Sequence, residues 1–397
     1  MSKRSLIQDH DEDQDGTTNI NKRIKITYEL VDLPVDILHS IFSYLTSEDI
    51  ANVSMIDSYY RQNFILFLFN RIKTTWHNLL AEFESKANFF LRYKYLIEQV
   101  RIIDCYSYGE WHINIFDNYL NLLPNLTRVI INSNNSSNWI KYRQNEKIHQ
   151  LTLYLDKDHF ETQHLQNQPR NVSVKPLASH SIQPRIFHID HIKDFPCLRK
   201  LNLDNYHFNW EVNESSSSFY HLVELNLTNC TWEYPFKLSQ FNMDRSTLAI
   251  LNIKYFSNNS FILSERFNEF LLNLEENFQS LANLQLTIDQ DNSINPTQSI
   301  SWERRLPSNI FDKILNKSYF PYLKHVKLFG WYINLSNVKN SLRKLDVKEL
   351  NHIEVINLKR VNNINNNNSN DNDDQDLAIL HDILDELMTY SIKLITN

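Results

Sequence analysis

One spacing dominates the chain beyond residue 95: aliphatic-x-x-aliphatic-x-aliphatic. Its last two aliphatics alternate as the buried face of a strand requires. It occurs at Ile97-Val100-Ile102, Leu126-Val129-Ile131, Ile148-Leu151-Leu153, Leu198-Leu201-Leu203 and Leu222-Leu225-Leu227. Further copies are Leu248-Leu251-Ile253, Leu281-Leu284-Leu286, Leu323-Val326-Leu328, Leu342-Leu345-Val347 and Ile353-Ile356-Leu358. Such units cannot bury themselves singly, so they stack and share a core. The expected fold class is α/β, with the copies forming a solenoid around a parallel sheet. The gap from 148 to 198 leaves room for one degenerate copy, and the gap from 281 to 323 for a helix around Asn309–Lys317.

Several intervals between copies are 19 to 33 residues, so the array resembles an irregular leucine-rich repeat. In that family the ninth residue is often Asn or Cys, whose polar group satisfies backbone where the chain leaves the strand. Counting nine residues along places Cys105, Asn134 and Cys230 there, whereas other copies put Tyr206, Phe256, Trp331 or Leu350 at that point.

Only three of the 397 residues are glycine (Gly16, Gly109 and Gly330), where average usage predicts about 28. Glycines so far apart exclude G-x-G-x-x-G, a P-loop and a G-x-S-x-G elbow. Asparagine, at 50 residues, can take positive-φ turn positions in place of glycine.

Ahead of the repeats, Leu33 to Trp76 carries helical spacing. Pro34 suits a first turn, and Ile37, Leu38, Ile41, Phe42 and Leu45 share one face. Thr46 or Ser47 can cap a second helix, with Glu48 and Asp49 at its positive end and Ile50, Val53 and either Met55 or Ile56 on its apolar face. A third apolar stretch, Phe64 to Phe69, follows. Three short helices in about 45 residues make a small core, so much of their apolar surface should meet another element or a partner.

The text DLPVDILHSIFSYLTSEDIANVSMIDSYYR resembles an F-box, with Leu33, Pro34, Ile37, Leu38, Ile41, Phe42, Leu45, Asp49, Ile50, Val53, Ser54 and Arg61 at matching positions. Many family members carry Cys and Trp where this chain has Asp57 and Tyr60. The resemblance implies docking on the small adaptor that joins F-box proteins to a cullin scaffold. Leu33, Pro34, Ile37, Leu38, Ile41, Phe42, Leu45 and Ile50 are the residues it implies for that contact.

The expected organisation is a disordered tail at 1–27, the F-box at 28–76, and a helical linker with the repeats at 77–360. An Asn/Asp-rich disordered insertion at 361–376 and a C-terminal amphipathic helix or cap at 377–397 complete it. The basic pairs Lys3–Arg4 and Lys22–Arg23 read either as an import signal or as a solvated tail. The polar N-terminus, short apolar runs and three scattered cysteines lead us to expect a cytoplasmic or nuclear protein without a membrane span.

Net charge −7 and pI near 6.1 disfavour a general nucleic-acid binder. No H-E-x-x-H or His/Cys cluster is present, Cys105 and Cys230 read as inert thiols, and Asp373–Asp374 lies in low-complexity sequence. No catalytic residue, metal or cofactor is therefore expected. Strand residues between the aliphatics should instead form a binding face. Lys254, Lys327, Phe329, Lys344, Lys348 and Lys359 fall there with Trp331 nearby, as do Arg101, Arg128 and Lys200 alongside Glu224 and Asp204. That face suits an acidic or phosphorylated protein segment.

These expectations combine into a non-catalytic substrate-recognition subunit of a cullin-type ubiquitin ligase. The alternative is a structural F-box protein, as in some kinetochore complexes, that uses the adaptor for assembly without ubiquitin transfer.

Overall fold

The computed structural model describes residues 32–56, 58–76, 78, 92–103, 121–132, 146–154, 185–188, 195–209, 221–232, 248–256, 259–277, 279–289, 306–307, 309–331, 335–344, 349–350, 353–359, 378–385, 387 and 393–396. The tail at 1–27, the insertion at 361–376, Cys105, Asn134 and Lys348 lie outside them. The chain divides into two units between Leu68 and Phe69.

The first unit is built from α1 (Val35–Ser43), α2 (Ser47–Ser54) and α3 (Ser58–Asn70), the last running two residues past the boundary. Pro34 has φ −54° immediately before α1, and its carbonyl accepts the Leu38 N–H at 3.0 Å. Thr46 and Asp49 form a capping box: the Thr46 N–H donates to Asp49 Oδ2 at 3.0 Å, and the Asp49 N–H donates to Thr46 Oγ1 at 3.2 Å. Hydrogen bonds from the Thr46 hydroxyl and then its N–H hold the Asp49 carboxyl below the usual carboxylate range. Leu38, Phe42, Ile50 and Phe64 are buried together, with the Phe42 ring centroid 4.6 Å from Phe64 and 4.8 Å from Phe67.

The second unit holds the sheet. Its strands are β1 (Arg71–Thr74), β2 (Gln99–Ile102), β3 (Arg128–Asn132), β4 (Gln150–Tyr154), β5 (Arg185–His188), β6 (Lys200–Asp204) and β7 (Tyr206–Asn209). They continue as β8 (Glu224–Thr228), β9 (Thr231–Trp232), β10 (Ile250–Phe256), β11 (Asn283–Asp289), β12 (His325–Phe329), β13 (Val355–Lys359) and β14 (Lys393–Thr396). Eleven of these form one parallel sheet in the order β1-β2-β3-β4-β6-β8-β10-β11-β12-β13-β14, while β5, β7 and β9 form a second parallel sheet. Helices α4 (Glu265–Leu272), α5 (Leu274–Asn277), α6 (Ile310–Leu315) and α7 (Leu335–Lys344) pack alongside.

Nine of the ten copies of the sequence spacing coincide with strands of the large sheet, paired position for position: Leu201 opposite Leu225, Leu225 opposite Leu251, Leu251 opposite Leu284. Every aliphatic of these copies whose side chain is described is at most 5% exposed. A one-residue slip would turn this whole set outward, so burial specifies the register. Backbone ahead of each strand repeats as well. The Thr127 carbonyl accepts from His149 and Gln150 at 2.8 and 3.1 Å, and the Arg199 carbonyl accepts from Val223 and Glu224 at 2.7 and 2.9 Å.

Where the chain leaves the strands, the eighth residue of three copies has positive φ: Asn205 at 58°, Asn229 at 51° and Gly330 at 75°. Asparagine thus does at two turns what glycine does at the third. The ninth residue is a buried donor in two of them. The Cys230 thiol lies 3.5 Å from the Leu203 carbonyl, and the Trp331 indole N–H donates to the Leu286 carbonyl at 3.1 Å. Both carbonyls belong to the third aliphatic of the preceding copy, a buried acceptor in need of a partner.

The structure corrects four expectations. The copy at Leu342-Leu345-Val347 does not begin a strand, because Leu342 lies in α7, where Leu335, Val338 and Leu342 are buried at helical spacing. Among the described residues, no strand stands between β4 and β6 in the large sheet, since the two pair directly and β5 joins the smaller sheet. Arg71–Thr74, grouped by spacing with the helices, is the first strand of the large sheet. Within the expected C-terminal cap, residues 378–385 are helical with Ile383 and Leu387 buried, but Lys393–Thr396 is a strand pairing β13.

Candidate functional site

Two surfaces carry the residues singled out in the sequence. On the first unit, the eight residues expected at an adaptor contact divide by direction. Leu38, Phe42 and Ile50 are buried in the unit's own core, and Leu33 and Leu45 pack against it half-buried. Pro34 and Ile37 are exposed, Ile37 at 48%, and Ile41 is half-buried. One turn on from Ile41, Tyr44 is 87% exposed, and Met55 and Ile56 at the end of α2 are 64% and 67% exposed. A helix with apolar residues on both its inner and outer sides leaves an apolar surface open to a partner.

The second surface is the open face of the large sheet, formed by the residues between the buried aliphatics. Its centre is a row of amides in register across β6, β8 and β10. Asn252 Nδ2 donates to Asn226 Oδ1, Asn226 Nδ2 to Asn202 Oδ1, and Asn202 Nδ2 to Thr152 Oγ1 at 2.6 Å. The row satisfies itself except at its end, where buried Asn252 Oδ1 has no hydrogen-bond partner among the described residues.

The expected lysines do not all serve this face as free cations. Lys254 is paired with Asp289, and Lys200 with Glu224 at 2.7 Å. Lys327 is half-buried with its ammonium 4.4 Å from the Phe329 ring centroid, a cation–π contact that leaves both side chains on the open face. Lys344 is not on the sheet at all: it ends α7, where a cation suits the negative end of the helix dipole. Trp331 is buried, its ring stacked on Phe267 at 5.9 Å, and is not part of the face.

Arg101 and Arg128 do point outward, and the structure adds two cations that the spacing missed, Arg71 and Lys73 on β1. The segment RIKT has a single aliphatic residue, so only its alternating burial reveals it as a strand. Among the described residues, no three His, Cys, Asp or Glu side chains converge as a metal site needs, and no helix is long and apolar enough to cross a membrane.

Cys230 is fully buried, and desolvation pushes its thiol up to about 12. Burial likewise raises the Tyr255 hydroxyl, which donates to the Cys230 carbonyl at 2.6 Å. Cys197 is half-exposed. Treating the native protein with iodoacetamide at mildly alkaline pH should therefore modify Cys197 and spare Cys230, as read by peptide mass spectrometry. Equal labelling of both would show that Cys230 is accessible.

No known family model matches this chain, and no curated protein is significantly similar to it in sequence.

Proposed function

We propose that this protein is a non-catalytic receptor subunit of a cullin-type ubiquitin ligase, with α1 and α2 docking on the ligase adaptor and the open sheet face of a leucine-rich solenoid holding a protein client. The observation that carries the reading is the two-sided apolar character of α1 within F-box-like sequence. Leu38 and Phe42 hold the helices together, while Ile37, Ile41 and Tyr44 are left for a partner. In such an assembly the receptor performs no chemistry. It raises the effective concentration of its client beside the conjugating enzyme.

The test is affinity capture of the tagged full chain from its own cells, with the adaptor and cullin quantified by mass spectrometry. Ile37→Asp with Ile41→Asp should reduce adaptor recovery by about tenfold to a hundredfold, because a charge buried at the centre of an apolar contact is unpaired. Recovery of adaptor and cullin by the wild type, and its loss in the variant, supports the reading. Adaptor recovered without cullin would favour the assembly role, and adaptor recovery indifferent to both substitutions would remove α1 from the contact.

A further inference from the structure

The charges on the open sheet face are unevenly compensated. Arg71 and Lys73 on β1, Arg101 on β2 and Arg128 on β3 are all exposed. The register sets Arg71 and Arg128 on either side of Gln99, and Lys73 directly opposite Arg101. With strands about 4.8 Å apart and alternate residues roughly 6.6 Å apart, the four cations share a patch on the order of 10 Å by 7 Å. No Asp or Glu points outward from β1 to β4; Glu98 lies one residue ahead of β2. Among the described residues, Arg71, Lys73 and Arg128 have no ion pair. The Arg101 guanidinium is fixed over the Tyr154 ring, 5.2 Å from its centroid, with Nε 3.3 Å from the hydroxyl. Further along the same face, Lys200 and Lys254 each have a carboxylate partner. Like charges directly across a strand pair are destabilising, and here they gather in a chain of net charge −7. An anionic partner relieves that repulsion.

We propose that the open face of β1–β3 binds an acidic protein segment whose Asp and Glu side chains are spread along extended backbone. The proposal rests on the receptor reading, for which it names the client chemistry and places the client at the β1 end of the sheet. Carboxylates fit better than a phosphate group. The cations stand side by side instead of converging on one point, and the backbone N–H groups of inner strands are committed to the sheet ladder. Acidic residues at alternate positions of an extended peptide recur at about 6.8 Å, close to the separation of Arg71 and Lys73 along β1. A patch about 10 Å long spans only about three phosphates of a nucleic-acid strand, so the rest of a longer nucleic acid would face the net negative charge of the chain.

Fluorescence anisotropy with the purified full chain tests this. The labelled probes are a peptide of alternating Asp and Ser, the same peptide with Lys for Asp, an otherwise neutral peptide with two phosphoserines, and a single-stranded DNA oligonucleotide. The Asp/Ser peptide should bind, weaken steeply with salt, and lose at least about tenfold in affinity when Arg71, Lys73, Arg101 and Arg128 are all changed to Gln. Changing Arg71 and Lys73 alone should cause a smaller loss, and Lys254→Gln with Asp289→Asn none. Circular dichroism checks that each variant is folded. Absent binding at low salt, binding that survives the fourfold variant, or tighter binding of the phosphopeptide or the oligonucleotide would overturn the proposal. Because adaptor capture depends on the other unit, its failure would withdraw the receptor reading while leaving this surface to be judged by its own titration.

Discussion

Gly330→Ala should lower stability by roughly 3 kcal/mol, although it adds a single methyl group. Gly330 sits at φ +75°, a conformation that L side chains rarely adopt, and an added Cβ would lie 2.2 Å from the Ile288 carbonyl oxygen and 2.9 Å from the Ile288 Cβ. Ile288 is the last buried position of β11, paired through the sheet to β12, so relief requires one strand to move from the other. Thermal unfolding followed by circular dichroism should shift downward by several degrees; an unchanged midpoint would mean that the turn after β12 is not held in this conformation. The same position after β6 is Asn205, at φ 58°. Asn205→Gly should alter stability by no more than about 0.5 kcal/mol, since glycine accepts that backbone without strain. The contrast between the two substitutions separates the combined cost of positive φ and the clash at Ile288 from ordinary surface effects.

Lys313→Ala should be the other large loss, about 3–5 kcal/mol. Lys313, on α6, donates its ammonium to the Leu272 carbonyl at the end of α4 and to Glu275 Oε1 on α5. Both charged side chains are largely buried, at 14% and 15% exposure, and Glu275 Oε2 is buried with no hydrogen-bond partner among the described residues. Removing the lysine strands a carboxylate that has little water to turn to. Replacing Lys313 and Glu275 together by Met should be near neutral, because the desolvation of both charges disappears with their attraction. Chemical unfolding of Lys313→Met, Glu275→Met and the double variant closes a thermodynamic cycle. Additive losses would show that the pair is not coupled.

The strands of the large sheet were legible because their burial is periodic. In LNLD and LNLT the aliphatics face inward and Asn202 and Asn226 outward, and the paired register follows from that alternation. Leu342-Leu345-Val347 shows where the rule fails. Leu342 also satisfies a helical period with Leu335 and Val338, and the buried face of α7 prevailed. RIKT and KLIT carry too few aliphatics to announce a strand, and they become strands by pairing with neighbours that do. On the first unit, the spacing of Ile37, Leu38, Ile41 and Phe42 marks a helix but does not say which side turns inward. Phe42 and Leu38 face Phe64, and that partner lies on α3.

By itself the sequence determined the class of fold, the strand faces and the exclusion of phosphate loops, since all three depend on local residue types at fixed spacing. The tertiary structure decided which charges remain available. Lys254 and Lys200 are spent on carboxylates from neighbouring strands and Trp331 on a carbonyl of the preceding strand, while Arg71, Lys73, Arg101 and Arg128, with no carboxylate partner among the described residues, gather on β1 to β3. Lys254 and Asp289 are 35 residues apart, and Arg71 and Arg128 57 apart, so only the folded register brings them together.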